Sequence, residues 1–261
     1  MLELVLSRRR YLERLADAPA WKRDLIDEFD HSRSTVDRAL AALTDAGLVA
    51  AGEAGYETTY SGETMLDVAD EATAVADTVD AAAALLNHLP TDAPRDHRFL
   101  AGAESVGMDD RSPAEVLGRM RVAVGDSDRF RGAAFSANDD GFIETVYRRS
   151  VVEGATEVRF VATPAPARYV ATEFPDLVAG ILDSDAIEVR VAPSMPFACY
   201  LATADGETTG YLGVHGEHDN FLGFVANDRP GAVAWLESVY AERWTAAAPF
   251  ADFLADEGLS P

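Results

Sequence analysis

The stretch S-R-S-T-V-D-R-A-L-A-A-L-T-D-A-G-L-V, residues 32–49, decides the fold of the N-terminal part of the chain. Apolar residues recur in it at intervals of three and four, which is the spacing of one face of an α-helix. They are Val36, Ala39, Leu40 and Leu43. Ser32 is a favourable residue just before a helix, and Gly47 is a favourable one just after it. The stretch therefore predicts one capped amphipathic helix whose apolar stripe faces inward.

Two further helices are predicted in front of this one. Residues 2–15 carry apolar side chains at helical spacing, and residues 21–29 predict a shorter helix with Leu25, Ile26 and Phe29 on one side. Only Asp30 and His31 separate the shorter helix from the one that begins after Ser32. Two helices joined by so short a turn have a helix-turn-helix layout.

A hairpin is predicted directly after the third helix. Residues 48–51 and 56–60 predict two short strands around Gly52 and Gly55. Three helices followed by a hairpin resemble the winged helix-turn-helix domain of archaeal and bacterial transcription regulators. In this resemblance, residues 32–46 take the place of the recognition helix and the hairpin is the wing.

The outward face of the predicted recognition helix carries residue types that contact DNA. The first turn of such a helix meets the base edges, where an arginine can bond two acceptors of guanine and hydroxyl groups suit phosphates. The candidate DNA-binding residues are Ser32, Arg33, Ser34, Thr35 and Arg38. An alternative is that Arg33 pairs with Asp37 on a merely solvated face. A second alternative is that the winged helix binds another protein without specific DNA binding.

The charge of the chain is strongly negative and unevenly distributed. The 261 residues include 22 Lys+Arg and 45 Asp+Glu, which gives a formal net charge of −23. Residues 1–60 hold 8 basic and 11 acidic side chains, whereas the rest hold 14 and 34. Acidic chains with a single lysine resemble the cytoplasmic proteins of halophilic archaea. In ~1 M salt the Debye length is only about 3 Å, so this charge repels DNA weakly beyond contact distance.

The N-terminal residues and the cysteine content indicate the compartment. Residues 1–10 are charged and lack a signal-peptide core, and no apolar run approaches the ~20 residues that a membrane helix needs. Cys199 is the single cysteine, so the chain has no disulfide framework. We therefore expect a soluble, cytoplasmic protein that does not bind a membrane.

Residues 62–89 predict a long alanine-rich helix with an a/d heptad seam. The seam positions are Met65, Val68, Ala72, Val75, Val79, Ala82, Leu86 and Leu89. A second copy of the chain is the favoured partner for this seam, because two recognition helices about one DNA turn apart match a palindromic site. The alternative partner is another part of the same chain. The domains expected are 1–61 for DNA binding, 62–96 for dimerisation and connection, and 97–261 for effector sensing.

Beyond the two prolines of residues 89–96, strands alternate with helices. The predicted strands are residues 130–136, 157–163, 186–192, 197–204, 210–214 and 221–226, and the predicted helices are residues 113–125, 142–154, 169–183 and 230–246. Asp205-Gly206 is a hairpin signal. The whole chain is therefore expected to be α+β, with a C-terminal mixed α/β domain built on a central sheet.

Four phrases in the C-terminal half resemble one family. These are F-L-A-G-A-E-S-V from Phe99, R-F-R-G at Phe130, S-M-P-F-A-C-Y-L from Ser194, and V-A-N-D-R-P-G-A-V-A-W-L-E-S-V-Y from Val225. They resemble the C-terminal domain of archaeal regulators related to the methanogen filament-length regulator, which joins this domain to a winged helix. The resemblance implies an effector-sensing domain similar to that of TrmB-type sugar regulators, and distantly a phospholipase D fold.

No catalytic, metal or cofactor site is assigned from the sequence. Phospholipase D chemistry needs a histidine nucleophile with a lysine two residues on, whereas the one lysine of this chain, Lys22, lies in the other domain. Cys199 has apolar neighbours on its own strand face and is expected to be a buried structural thiol. The cluster H-G-E-H-D, residues 215–219, has metal-ligand types in His215 and His218, but polar residues are ordinary in a turn between strands.

A small-molecule pocket is expected at the strand ends, where loops converge in sheet-and-helix folds. The candidate ligand-binding residues are Ser136, Thr163, Pro196, Phe197, Asn227 and Asp228. For Asn227 and Asp228, capping of the following helix is favoured over ligand contact. Trp235 and Tyr240 are expected in the core.

Overall fold

A computed structural model describes residues 1–108, 112–137, 139–216 and 220–259. The chain divides into two compact units, Met1–Ala74 and Val75–Pro261. The division falls within one helix, and the domain limits expected from the sequence remain predictions. The predicted fold class is confirmed: an N-terminal winged helix-turn-helix, a long helix, and a mixed α/β part around a central sheet.

The first unit has the predicted order of helices and hairpin. Its elements are α1 (Leu2–Asp17), α2 (Lys22–Phe29), α3 (Arg33–Asp45), β1 (Val49–Gly52), β2 (Gly55–Thr58) and the start of α4 (Tyr60–Ala81). The apolar stripe of α3 packs inward, and each of its four predicted residues is at most 1% exposed. Leu12 and Leu25, from α1 and α2, belong to the same core. Burial of this stripe fixes which face of α3 remains outside.

The hairpin of the wing is tied to the segment in front of α2. Gly52 pairs with Gly55, and Ala20 forms a β-bridge with Tyr56 in which both N–H···O distances are close to 3 Å, at 3.0 and 2.9 Å. Gly55 has φ 123°, and a Cβ there would lie 2.6 Å from the Ala20 carbonyl carbon. Glycine is therefore required where the wing turns over the chain before α2.

The long helix predicted over residues 62–89 is shorter than expected at its C-terminal end. Helix α4 ends at Ala81, and α5 (Ala83–Leu86) follows after Ala82, which has φ −102° and ψ 6°. Ala82 and Leu85 are both buried in a core of the second unit. Packing of these two side chains into that core accompanies the break, and the predicted heptad seam is interrupted at Ala82.

The second unit is built on an eight-stranded sheet. Its strands are β3 (Glu104–Gly107), β4 (Arg129–Ala134), β5 (Glu157–Ala162), β6 (Ile187–Val191), β7 (Ala198–Ala204), β8 (Glu207–His215), β9 (Phe221–Asn227) and β10 (Ala248–Pro249). Their order across the sheet is β10-β6-β5-β4-β7-β8-β9-β3. Strands β4, β5 and β6 are parallel, and every other neighbouring pair is antiparallel.

Helices cover both faces of this sheet. They are α6 (His97–Leu100), α7 (Pro113–Gly125), α8 (Asp140–Tyr147), α9 (Pro164–Glu173), α10 (Pro175–Asp183), α11 (Pro230–Ala246) and α12 (Phe250–Glu257). Adjacent residues of β4 face opposite cores: Ala133 packs with Leu236 of α11, and Ala134 packs in the core that holds Met120 of α7. The period of two along the strand produces these two layers.

Several predicted elements of the second unit differ from the structure. The helix predicted over residues 142–154 is α8 followed by a π-helical turn, Arg148–Val152. The helix predicted over residues 169–183 is two helices, because Pro164 and Pro175 each begin one. Strands β3 and β10 and helices α6 and α12 were not predicted. The Asp205-Gly206 hairpin is confirmed, with Ala204 paired to Glu207 and positive φ at both turn residues.

Candidate functional site

The N-terminus of α3 presents three hydroxyl groups close together. The Ser32 Oγ accepts a hydrogen bond from the Thr35 backbone N–H at 3.3 Å, so Ser32 caps the helix as predicted. The same Oγ lies 3.1 Å from the Ser34 Oγ and 2.9 Å from the Thr35 Oγ1. Hydroxyls beside the free N–H groups of a helix N-terminus provide donors for a phosphate oxygen.

The outward face of α3 presents two arginines. Arg33, Ser34 and Arg38 are exposed, and the Arg38 Nε donates to the Ser34 backbone carbonyl at 3.1 Å. Neither guanidinium forms an ion pair with another residue that the structure describes. Both are positioned on the side opposite the buried stripe, where the duplex would lie if α3 entered a major groove.

Asp37 is engaged by a lysine from α2 rather than by Arg33. The Lys22 Nζ lies 2.7 Å from the Asp37 Oδ1. The hydrogen bond from Lys22 lowers the pKa of Asp37, with a smaller contribution from the charge of Arg33. Because Lys22 compensates this carboxylate, the exposed face of α3 keeps the positive charge of its arginines.

An aromatic cluster holds the turn between α2 and α3. The Tyr11 Oη lies 2.6 Å from the His31 Nδ1, and the Tyr11 and Phe29 rings are 5.1 Å apart. The Arg10 guanidinium lies over the Phe29 ring at 4.9 Å. Asp30 takes a left-handed conformation with φ 52°, which aspartate tolerates better than most residues. These contacts fix the angle at which α3 leaves α2.

The wing adds no positive charge. Its exposed acidic residues are Glu53 and Glu57, and no arginine or lysine occurs in residues 48–60. A wing that enters a minor groove normally carries basic side chains. The recognition helix is therefore the element of the first unit best suited to contact nucleic acid.

Three of the predicted ligand-binding residues lie together in the second unit. Thr163, Pro196 and Phe197 line an open depression of about 590 Å³ at the edge of the sheet where β4, β5 and β6 end. Arg168 and His215 line the same depression. The loops after parallel strands and the segment before antiparallel β7 meet at this edge, which is why the three residues converge.

Ser136 lines an adjoining cavity instead. Its Oγ lies 2.9 Å from the His215 Nε2, and His215 borders both the depression and the cavity. The cavity has a volume of about 140 Å³ and its lining is mostly apolar. Ser136 therefore marks the place where the two spaces approach each other.

Asn227 and Asp228 lie at the opposite edge of the sheet. Strand β9 runs antiparallel to β8, so its carboxyl end faces away from the ends of β4 and β5. The buried Asn227 Nδ2 donates to the backbone carbonyls of Phe99 and Ala101, at 2.9 and 3.1 Å, and its Oδ1 accepts from the Arg229 N–H at 2.9 Å. Asn227 therefore holds neighbouring backbone segments together, and it does not lie near Thr163.

Cys199, Trp235 and Tyr240 lie in or against the core that packs on α11. Cys199 is 2% exposed, and burial raises the pKa of its thiol to about 12. Tyr240 is 4% exposed, and its hydroxyl donates to the Arg159 carbonyl at 3.1 Å. Trp235 is partly buried beside the Phe99 ring, with ring centroids 5.2 Å apart. A buried thiol with a raised pKa favours the structural role expected for Cys199.

Most of the turn cluster that was considered as a metal site, residues 215–219, lies outside the described residues. His215 is described, but Glu217, His218 and Asp219 lie outside the described residues. Within the described part of the chain, no group of three or more His, Cys, Asp or Glu residues could hold a metal ion. A helix long and apolar enough to span a membrane is also absent from that part.

Sequence reasoning missed the position of His215 between the two spaces and the apolar cavity itself. His215 was weighed only as a metal ligand, although its position at the carboxyl end of β8 places it at the same edge as Thr163. The cavity is lined by residues from several helices, and such a set has no signature in the local sequence. The direction of β8 in the sheet was the signal that could have located His215.

The chain joins a winged helix-turn-helix to a mixed α/β part. Residues 113–246 match the model of the methanogenesis regulatory protein FilR1, middle domain, and residues 1–84 match the HVO_A0261 N-terminal domain. The chain belongs to the family of the methanogenesis regulatory protein FilR1. At the level of this family it is a transcription regulator.

The solved structures that the chain matches are distant in sequence and in structure. The archaeal chromatin protein TrmBL2 is 12% identical with a TM-score of 0.42, covering 95% of this chain and 98% of that one. NucT from Helicobacter pylori is 10% identical with a TM-score of 0.41, over 56% and 98% of the two chains. Nuc from Salmonella typhimurium, a phospholipase D family member, is 13% identical with a TM-score of 0.39, over 53% and 93%. No curated protein sequence matched the chain.

Proposed function

We propose that this regulator binds double-stranded DNA specifically through α3. The observation behind the proposal is the exposed pair Arg33 and Arg38, which no described carboxylate neutralises, beside the hydroxyls of Ser32, Ser34 and Thr35. The arginines suit guanine edges in a major groove, and the hydroxyls suit the phosphates that flank them. Both sets lie on one helix whose opposite face is buried.

The overall charge sets the conditions under which this binding works. The net charge of −23 opposes approach to DNA at low ionic strength. Screening in molar salt shortens that repulsion to contact distance, whereas the hydrogen bonds of Arg33 and Arg38 act at contact. The proposal therefore includes a cytoplasm of high salt, as in halophilic archaea.

The proposal has two further parts. The first is that the regulator acts as a homodimer that pairs through the stripe of α4 formed by Val68, Val75 and Val79. The second is that a small molecule bound in the second unit alters its DNA affinity. Val68 and Val79, which lie on this stripe, are 44% and 42% exposed, which supports pairing with a second copy. The depression at Thr163, Pro196 and Phe197, with Ser136 beside it, supports a ligand in the second unit.

The experiment is selection of bound fragments from a random DNA pool with the full-length protein in molar KCl. A discrete, two-fold symmetric motif is expected, because a dimer presents two copies of α3. Uniform, weak recovery of all sequences would reject specific DNA binding. It would favour the second candidate function, a protein-interaction module that uses the winged helix to bind another protein.

A further inference from the structure

The cavity beside Ser136 lies between the sheet and two pairs of helices. Its floor is formed by β4, β5 and β6, and its walls are formed by α7 and α8 on one side and by α9 and α10 on the other. Aromatic rings supply much of the lining, including those of Phe142, Phe160 and Tyr200. The surroundings favour an apolar occupant, because burial of apolar surface is the main driving force available there.

Small residues on two adjacent strands leave this space open. Ala134 and Ala162 are register partners at the ends of β4 and β5, and Ala167 of α9 faces the same cavity. Protein interiors are normally packed to crystal density, and a volume of about 140 Å³ is large beside ordinary packing defects. An engineered apolar cavity of ~150 Å³ holds one benzene molecule, so the space matches a single ring.

One end of the cavity is polar. The Ser136 Oγ and the His215 Nε2 lie 2.9 Å apart there. The Asp139 Oδ2 is buried and accepts no hydrogen bond from a residue that the structure describes, although it forms an ion pair with Arg121, whose Nε is 3.6 Å away. A buried carboxylate oxygen without a hydrogen bond favours an occupant that donates one, and the cost of desolvating a charge in a mostly apolar cavity opposes an anionic occupant.

We propose that this cavity binds a ring-sized, mainly apolar molecule that carries a hydrogen-bond donor at one end and no negative charge. The apolar body lies against Phe142, Phe160 and Tyr200, and the donor faces Asp139 and Ser136. The inference deepens the proposed sensing function. The claim that the bound molecule is the effector rests on that function. The binding itself needs neither DNA nor a dimer.

Phenol is the probe, because it combines one ring with one hydroxyl donor. Titration calorimetry on the full-length protein in molar KCl should show saturable binding of phenol. Toluene, which has the ring without the donor, should bind about fivefold more weakly, the difference expected for one hydrogen bond. Benzoate should not bind, because its carboxylate would lose its hydration in a mostly apolar cavity. Glucose should not bind, because its many hydroxyls find too few partners.

Variants locate the binding. Ala134→Leu fills the cavity from its floor and Ala167→Leu fills it from the α9 wall, and each should abolish phenol binding. Ala241→Leu, an exposed alanine-to-leucine change on α11, should leave it unchanged. Asp139→Asn removes the charge and should weaken phenol binding about fivefold, since hydrogen bonds to a charged acceptor are the stronger ones. Asp205→Asn, in an exposed turn, is its matched control. Should both filling variants fail to fold, the pair of aspartate variants still tests the site.

The proposal is overturned if phenol shows no saturable binding, if benzoate or glucose binds as well as phenol, or if a folded filling variant binds phenol like the wild type. Loss of the difference between Asp139→Asn and Asp205→Asn would also overturn it. No DNA is present in these titrations. Failure of phenol binding therefore counts against the cavity, and failure of DNA selection counts against the proposed function.

Discussion

At the scale of single residues, Arg33 and Arg38 determine whether α3 can distinguish one DNA sequence from another. Changing either one to alanine should weaken binding to the selected site by about 1–3 kcal/mol and relax base preference at a subset of positions. Because Lys22 engages Asp37, Arg33 remains available and both variants should show the effect. Electrophoretic mobility shifts in molar KCl measure the affinities.

The matched control is Arg129→Ala, an exposed arginine of the second unit. It should leave the affinity unchanged, and all three variants should keep the wild-type melting temperature, since none of the side chains lies in a core. Equal losses in the control and in the α3 variants would mean that bulk charge, rather than base contact, accounts for the effect.

Thr59 joins the loop after α3 to the first turn of α4. Its Oγ1 donates to the Gly47 carbonyl at 2.7 Å and accepts from the Gly62 N–H at 3.1 Å. Thr59→Ala should lower the free energy of unfolding by about 1–2 kcal/mol, because it removes a helix cap and leaves the N–H of the buried Gly62 without this acceptor. Thr59→Ser keeps the hydroxyl and should lose much less. Denaturant unfolding measures both, and equal stability of the two variants would show that the hydroxyl is not the stabilising group.

At the scale of elements, the stripe of α4 is the surface expected to pair with a second copy. Val75→Asp with Val79→Asp places like charges on both partners of a symmetric contact, where repulsion and desolvation oppose pairing. Light scattering in high salt should then report a monomer with unchanged helical circular dichroism. Ala81→Asp, on the opposite side of the helix, should remain dimeric. A double variant that stays dimeric would place the interface elsewhere.

Local signals in the sequence located some elements well. Helices α7 and α11 have the bounds predicted for them, because Pro113 and Pro230 mark their starts, and Ser112 also caps α7. The N-cap residue of α11 is Arg229, which makes no side-chain cap hydrogen bond, so the capping expected from Asn227 or Asp228 is wrong. Pro175 also marks the start of a helix, but the sequence analysis predicts one helix over residues 169–183 where the structure has α9 and α10. Strand β3 was not predicted, because only Val106 among its four residues is buried and the strand has no clear alternation of buried and exposed residues.

Residues at strand ends were predicted correctly as part of the candidate site only where the direction of the strand places that end at the shared edge of the sheet. Thr163 follows a parallel strand and Phe197 precedes an antiparallel one, so both reach the same edge of the sheet. Asn227 follows a strand whose direction is opposite, and it reaches the other edge. Alternation along a strand indicates burial but contains no information about direction, which tertiary pairing decides.

At the scale of the whole molecule, the proposed function requires that ligand binding and DNA binding influence each other. A compound that saturates the second unit should change the affinity for the selected site by about 5–150-fold, a coupling of ~1–3 kcal/mol. By reciprocity, the DNA must change the affinity for that compound by the same factor. Central metabolites screened by thermal shift supply the compounds to test. A compound that binds saturably yet leaves the DNA affinity unchanged would reduce its site to a structural role.

The central claim is sequence-specific DNA binding by α3 in the intact chain, and one ratio tests it most directly. This is the affinity of the full-length protein for its selected site divided by that for a scrambled duplex of the same length and composition, in molar KCl. We expect a ratio of about a thousand or more for the wild type, as for other specific binders. With Arg33→Ala and Arg38→Ala combined, the ratio should fall by at least tenfold. Equal affinities of the wild type for the two duplexes would contradict the account.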